Sequence, residues 1–270
     1  MSRVFVSQEI IEEALDEFDG TGITVDLRRD HRPMPADELR SAVAGYDGLI
    51  CLLTDRIDAE FLAANPQLRV VANVAVGFDN IDVPAASRAG VAVTNTPRVL
   101  TDATADLAFT LLLSTARRVP EGDAFLRAGK YTHWRVEQEQ MGVDVFGATL
   151  GLFGLGQIGR AVARRARGFD MTVLYHDLHR LPADDERDLG VTYVEFDELL
   201  ARSDFVSVHS PLTDGTRHRF DAAAFAAMKP TAILVNTARG PIVDEAALAA
   251  ALRSGEIAGA GLDVFEREPE

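Results

Sequence analysis

Short apolar runs alternate along the chain with longer stretches in which apolar positions recur every three or four residues. The apolar runs predict strands at 4–6, 23–27, 48–53, 69–74 and 91–94, then at 149–153, 172–175, 205–208, 233–235 and 259–264. Helical periodicity lies between them, for example at 10–18 and 36–44. Such alternation is the signature of parallel α/β sheets. A change of character at Asn95-Thr96-Pro97 divides the chain, giving one predicted domain over 1–99 and a second over 100–270. The helix predicted over 103–118 carries Leu107, Ala108, Phe109, Leu111, Leu112 and Leu113, apolar on nearly every face. A helix of that kind is expected to be buried, between domains or in a subunit interface. After it come an arm over 119–141, expected to be irregular, and a Gly-punctuated connection over 138–148.

The strand predicted at 149–153 runs into Gly154-Leu155-Gly156-Gln157-Ile158-Gly159, a Gly-x-Gly-x-x-Gly turn that opens a helix. A second strand follows and ends at Asp177. Each part has a mechanical reason in dinucleotide binding. Gly154 permits the tight turn, Gly156 lets a pyrophosphate approach the backbone, and Gly159 lets the helix pack closely on the sheet. The amides at the start of that helix face the phosphates. Asp177, about 20 residues on, stands where a carboxylate meets the ribose hydroxyls and disfavours a 2′-phosphate. The pattern predicts a nicotinamide dinucleotide, NAD before NADP, with His179 and Arg180 softening that preference.

Three other polar clusters sit where predicted strands end, the edge at which open parallel sheets bind ligands. Consecutive amides at Val76 and Gly77 form a candidate nest for a carboxylate. Arg239 brings a permanent charge with a planar fork, suited to a carboxylate or a polarised carbonyl. Asp263 is placed to hydrogen-bond a nicotinamide carboxamide, and Glu268, preceding Pro269, is expected to be extended.

Bulk properties narrow the function classes. Of 270 residues 47% are hydrophobic, the level of a globular chain, and the net charge of −15 argues against nucleic acid and against an anionic membrane surface. The single Cys51 excludes an intrachain disulfide framework and is read as a small core hydrophobe in a reducing compartment. No secretory h-region opens the chain and no apolar run spans a bilayer, so a cytoplasmic location is expected. No metal ligand set is assigned.

These motifs together resemble the D-isomer-specific 2-hydroxyacid dehydrogenase family, most closely its glyoxylate/hydroxypyruvate reductase branch. The resemblance rests on Val76–Asp82, Asn95-Thr96-Pro97, Thr101–Asp106, Gly154–Gly159, His209–Thr213, Asn236–Gly240 and Leu262–Pro269, in that order. It implies a flavodoxin-like substrate domain followed by a Rossmann domain, both doubly wound parallel sheets, and a homodimer built on the latter. It implies reduction of a small 2-oxo acid with hydride from NAD(P)H. By the resemblance Val76 and Gly77 hold the substrate carboxylate, Arg239 binds and polarises the 2-oxo group, and Glu268 pairs with a catalytic histidine. Leu155, Gly156, Gln157, Ile158, Asp177, Ser210, Pro211, Thr237, Ala238 and Asp263 then line the cofactor with Gly154 and Gly159, and Thr104 is a further candidate.

Two departures qualify that picture. The family's acid histidine lies downstream of the glutamate in a Pro-His-x-Gly-type turn. The sequence ends at Glu270 before one, so the resemblance implies a second domain incomplete at its C-terminus. None of the six histidines present substitutes for it by position. The alternative is a catalytically weak NAD(H)-binding module, a redox sensor or interaction protein. The second departure is Arg98, where this branch more often has Gly.

Overall fold

The computed structural model describes residues 2–134, 136–137 and 141–268. It divides into two compact units, Met1–Leu100 and Thr101–Glu270.

Unit 1 contains β1 (Arg3–Val6), β2 (Thr24–Leu27), α1 (Ala36–Ala42), β3 (Gly48–Cys51), α2 (Ala59–Ala64), β4 (Val70–Asn73), α3 (Val83–Ala89) and β5 (Ala92–Thr94). The strands form one parallel sheet in the order β2-β1-β3-β4-β5, the flavodoxin-like arrangement. Its core gathers Phe5, Leu49, Val71, Leu39 and Phe61. Helix starts follow from capping: Asp58 accepts from the Phe61 N–H and Asp82 from the Ala85 N–H, while Gly90 closes α3 in the left-handed region. The helix expected over 10–18 is instead a 3-10 segment, Glu12–Phe18, that buries none of its residues. Without a packed face, little favours α geometry in so short and acidic a stretch.

Unit 2 begins with α4 (Thr101–Ala116) and α5 (Val119–Arg127). The arm after residue 118 is therefore helical at its start, correcting the irregular reading. Pro120 sits in the first turn, where its missing N–H costs nothing, and Arg127 pairs with Asp123 one turn back. The connection over 138–148 starts among residues outside those described.

The unit continues with β6 (Thr149–Phe153), α6 (Gln157–Ala166), β7 (Thr172–His176), α7 (Ala183–Leu189), β8 (Val191–Tyr193), α8 (Phe196–Arg202), β9 (Phe205–Val208), α9 (Ala222–Ala227), β10 (Ile233–Asn236), α10 (Glu245–Ser254) and β11 (Gly259–Leu262). Parallel pairing gives the order β11-β10-β9-β6-β7-β8, in which the first strand of the sheet lies beside the fourth. That is the Rossmann order, with its switch point between β6 and β9. Two cores flank the sheet. Leu150, Leu152, Tyr175, Ile233 and Val235 enter one, and Leu174, Val206, Val208 and Leu234 enter the other. Burial on both faces is why these strands read as continuous apolar runs rather than alternating ones.

Helix α4 is not buried on every face. Ala105, Ala108, Phe109, Leu112 and Ala116 pack within the unit, whereas Leu107 is 37% exposed. Close packing on β11 depends on small residues there: a Cβ at Gly259 would stand 2.9 Å from the Thr115 methyl, and one at Gly261 3.0 Å from the Leu111 Cβ.

Candidate functional site

The Gly-rich turn leaves β6 at the switch point. Gly154 holds φ +98°, and a Cβ there would lie 2.7 Å from the backbone of His209 and Ser210. Only glycine lets the β6 and β9 exits approach this closely. A Cβ at Gly159 would stand 2.4 Å from the Gly154 carbonyl oxygen, so the third glycine sets how tightly α6 returns onto the turn. Gly156 differs: nothing lies within 4 Å of the place its Cβ would occupy. It is the N-cap of α6 and gives no side-chain cap, which leaves the first-turn amides to an outside acceptor.

Asp177 follows β7. One carboxylate oxygen accepts from the Leu155 N–H at 2.7 Å and the other from the His179 N–H at 3.2 Å. The acidic residue therefore braces the glycine turn.

Across the switch point, Ser210 and Pro211 follow β9, Thr237 and Ala238 follow β10, and Asp263 follows β11. Ser210 and Thr237 are 9% and 8% exposed, and neither hydroxyl has a hydrogen-bond partner among the described residues. Buried hydroxyls normally find partners, so two orphans at neighbouring strand ends mark a polar ligand's place. Gly154–Gly159, Asp177, Ser210, Pro211, Thr237, Ala238 and Asp263 thus share the carboxyl edge of one sheet. The open backbone at Gly156, the uncapped helix amides and the orphan hydroxyls fit a dinucleotide. Thr104 lies on α4, one turn beyond Thr101, whose hydroxyl meets the Gln157 side chain at 3.5 Å.

Arg239 sits in the loop after β10, half-buried. Asn236 shapes that loop: its Nδ2 donates to the Arg239 carbonyl at 3.0 Å and its Oδ1 accepts from the Ala238 N–H at 3.0 Å. The guanidinium Nη1 donates to the Ala238 carbonyl at 2.7 Å. Beside it, Gly240 is indispensable, since a Cβ there would fall 1.9 Å from the Phe265 carbonyl. That contact carries the 263–268 segment against the Arg239 loop. Glu268 ends a turn in which its carboxylate accepts from the Phe265 N–H. Pro269, expected to hold it extended, lies outside the described residues.

The histidines take other partners. His209 shares a 2.8 Å hydrogen bond with Ser207, and burial pushes its pKa down to about 4, keeping it neutral. His176 meets the Val194 carbonyl, and His218 meets Glu266 rather than Glu268. His31 faces Glu9, and His133 faces Thr132. The His179 amide serves Asp177.

In unit 1, Val76 and Gly77 follow β4. Their carbonyls are claimed by side-chain amides: Asn95 Nδ2 donates to Val76 and Asn73 Nδ2 to Gly77, each at 2.8 Å. Among the described residues neither the Val76 nor the Gly77 amide donates a hydrogen bond, as a carboxylate nest requires. Asn73, Asn95 and Asn236 had no assigned role in the sequence reading. Each stands at or just past a strand end, Asn95 and Asn236 inside quoted motifs and Asn73 three residues before one, where a side-chain amide most often serves the backbone.

The family model described as D-isomer specific 2-hydroxyacid dehydrogenase, NAD binding domain, matches residues 109–270. The chain is 52% identical over 270 residues to a glyoxylate reductase of Korarchaeum cryptofilum, covering 99% of this chain and 80% of that protein. A solved glyoxylate reductase from Paecilomyes thermophila superposes with TM-score 0.87 at 34% identity, covering all of this chain and 83% of its own. A glyoxylate/hydroxypyruvate reductase of Sinorhizobium meliloti, solved with NADP and malonate, gives 0.86 at 34% identity and coverages of 100% and 81%.

Proposed function

The chain belongs to the D-isomer-specific 2-hydroxyacid dehydrogenase family, an NAD(P)-dependent oxidoreductase line, and from that premise we propose that glyoxylate or hydroxypyruvate is the 2-oxo acid it reduces. The observation that carries the reading is the Arg239 loop, clamped by Asn236 at the same sheet edge as the orphan hydroxyls of Ser210 and Thr237.

When bound, NAD(P)H supplies the hydride. Gly154–Gly159 would cradle its pyrophosphate, Asp177 its ribose, and Ser210, Pro211, Thr237, Ala238, Asp263 and Thr104 the remainder. Arg239 sets a permanent positive charge against the oxygen on which negative charge builds. The Val76 and Gly77 amides hold the substrate carboxylate. By the resemblance Glu268 would be the carboxylate that keeps a histidine proton donor charged, and none of the histidine contacts described above is with Glu268.

NAD is the preferred cofactor, because Asp177 would repel a 2′-phosphate. A homodimer is part of the proposal, supported by exposed Val119, Leu126, Trp134, Val136 and Met141 along the arm and Phe146 just after it. A reducing, cytoplasmic setting is supported by Cys51, buried with its thiol pushed up to about 12. No helix among the described residues is long and apolar enough to cross a membrane.

The test follows NADH absorbance with glyoxylate and with hydroxypyruvate. Turnover is expected, and Arg239→Gln is expected to lower kcat/KM by about 10²–10³. NADH binding without turnover would favour a dinucleotide-binding module instead.

A further inference from the structure

The ribose edge of the sheet carries a basic side chain whose charge is already spent. Arg180 lies three residues beyond Asp177, and its Nε and Nη2 donate to the two carboxylate oxygens of Glu186 on α7 at 2.9 and 3.0 Å. This is the planar two-point pairing that a guanidinium would otherwise offer a phosphate. Glu186 is itself fixed. Its side chain is 11% exposed, and it accepts the hydroxyl of Tyr175, a fully buried residue of β7, at 2.8 Å. The Tyr175 oxygen in turn accepts the Leu181 N–H at 2.8 Å, so the carboxylate is anchored to the core through Oε1, the oxygen that also accepts from Arg180 Nε.

Arg180 and Asp177 share a neighbourhood. The guanidinium stands 5.4 Å from the Tyr193 ring, and the Tyr193 hydroxyl feels both Arg180 and Asp177. His179, between them, is exposed and lends its amide to Asp177. A 2′-phosphate entering here would meet the Asp177 carboxylate and a cation already neutralised by a carboxylate that cannot swing away.

We infer that Glu186 is a cofactor-selectivity residue: by clamping Arg180 it withholds from NADP(H) a guanidinium three residues beyond Asp177 in the same loop. The inference rests on the nucleotide reading above and adds to it a residue outside the glycine turn and the acidic position. Glu186 touches no cofactor in this account. It acts through Arg180.

The experiment measures dissociation constants of NADH and NADPH by fluorescence titration for the full chain, Glu186→Gln, Arg180→Met and the double variant. Glu186→Gln is expected to tighten NADPH by about fivefold, the scale of one partly exposed charge pair, and to leave NADH within about twofold. Arg180→Met alone is expected to leave NADPH unchanged, and in the double variant the gain disappears. A gain that survives Arg180→Met would overturn the inference, because it would report only the loss of a negative charge. So would an NADPH affinity indifferent to Glu186→Gln. Should that variant not fold, Arg180→Met decides: weaker NADPH binding would show Arg180 already available and overturn the clamp, and unchanged binding supports it. Absence of NADH binding by the unaltered chain would instead remove the nucleotide reading beneath.

Discussion

Two loops in this molecule leave backbone amides without an acceptor among the described residues, and they are held by opposite means. At Val76–Gly77 in unit 1 the peptide carbonyls are grasped by Asn95 and Asn73, so side chains on neighbouring strands turn the amides outward. At Gly154–Gly159 in unit 2 the absence of side chains does the work: two glycines admit backbone within 2.4–2.7 Å of a missing Cβ, and a helix supplies the aligned amides. The first loop is held by bonds, each replaceable at modest cost. The second is held by close packing, where one added methyl has nowhere to go. Substitutions in the two loops should therefore differ in size and in kind.

The largest effect is expected at Gly159. Gly159→Ala places a Cβ against the Gly154 carbonyl oxygen, so α6 must move off the turn. Overpacking of this kind costs about 1–3 kcal/mol, and NADH affinity should fall more than tenfold, checked by titration and thermal melting. Asn95→Ala in unit 1 should be gentler. It frees the part-buried Val76 carbonyl, costs about 0.5–1.5 kcal/mol locally, and should raise KM for the 2-oxo acid several-fold while kcat changes less. If Asn95→Ala abolished NADH binding and Gly159→Ala did not, the comparison would be inverted.

A smaller, pH-dependent effect belongs to His209 behind the glycine turn. Its folded pKa of about 4 lies below the ordinary histidine value of about 6.5, so the unfolded chain takes up the proton first. Stability contributed by the neutral ring is present above about pH 6.5 and is lost as pH falls toward 4. Melting temperatures across that window should fall less steeply for His209→Gln than for the unaltered chain.

The smallest expected effect is a gain. Arg98 adopts φ +73°, a left-handed conformation that disfavours a Cβ and accounts for glycine at this position in the resembled branch. Arg98→Gly should stabilise unit 1 by about 0.5–1 kcal/mol, the relief of strain less the added freedom of the unfolded chain, read as a higher melting temperature.

The strand ends were legible in sequence because buried parallel strands are largely apolar and give way abruptly to glycine or polar residues, as after Phe153 and Val208 and at Asn236. The glycine turn was legible because steric demands leave no other residue type at Gly154 and Gly159. Other features were not. Three residues of β8 carry too little periodicity to separate a strand from a turn, and α5 was hidden because its Pro120 reads as a breaker away from a helix start. The positions that tune the site escaped notice for a different reason. Asn73, Asn95 and Glu186 act on backbone or on another side chain across several strands, and such partners are fixed only by the sheet order. The same holds for α4, which packs on α6, β10 and β11 within unit 2 while its Leu107 stays 37% exposed there.

The central claim is that the carboxyl edge of the unit 2 sheet is a dinucleotide site built by close backbone approach. Titration of the protein with NADH, followed by nucleotide fluorescence, addresses it directly, with Gly154→Val as the control that fills the space against His209 and Ser210. The account predicts saturable binding by the unaltered chain and its loss in the folded variant. Equal binding by both, or none by the unaltered chain, would contradict it.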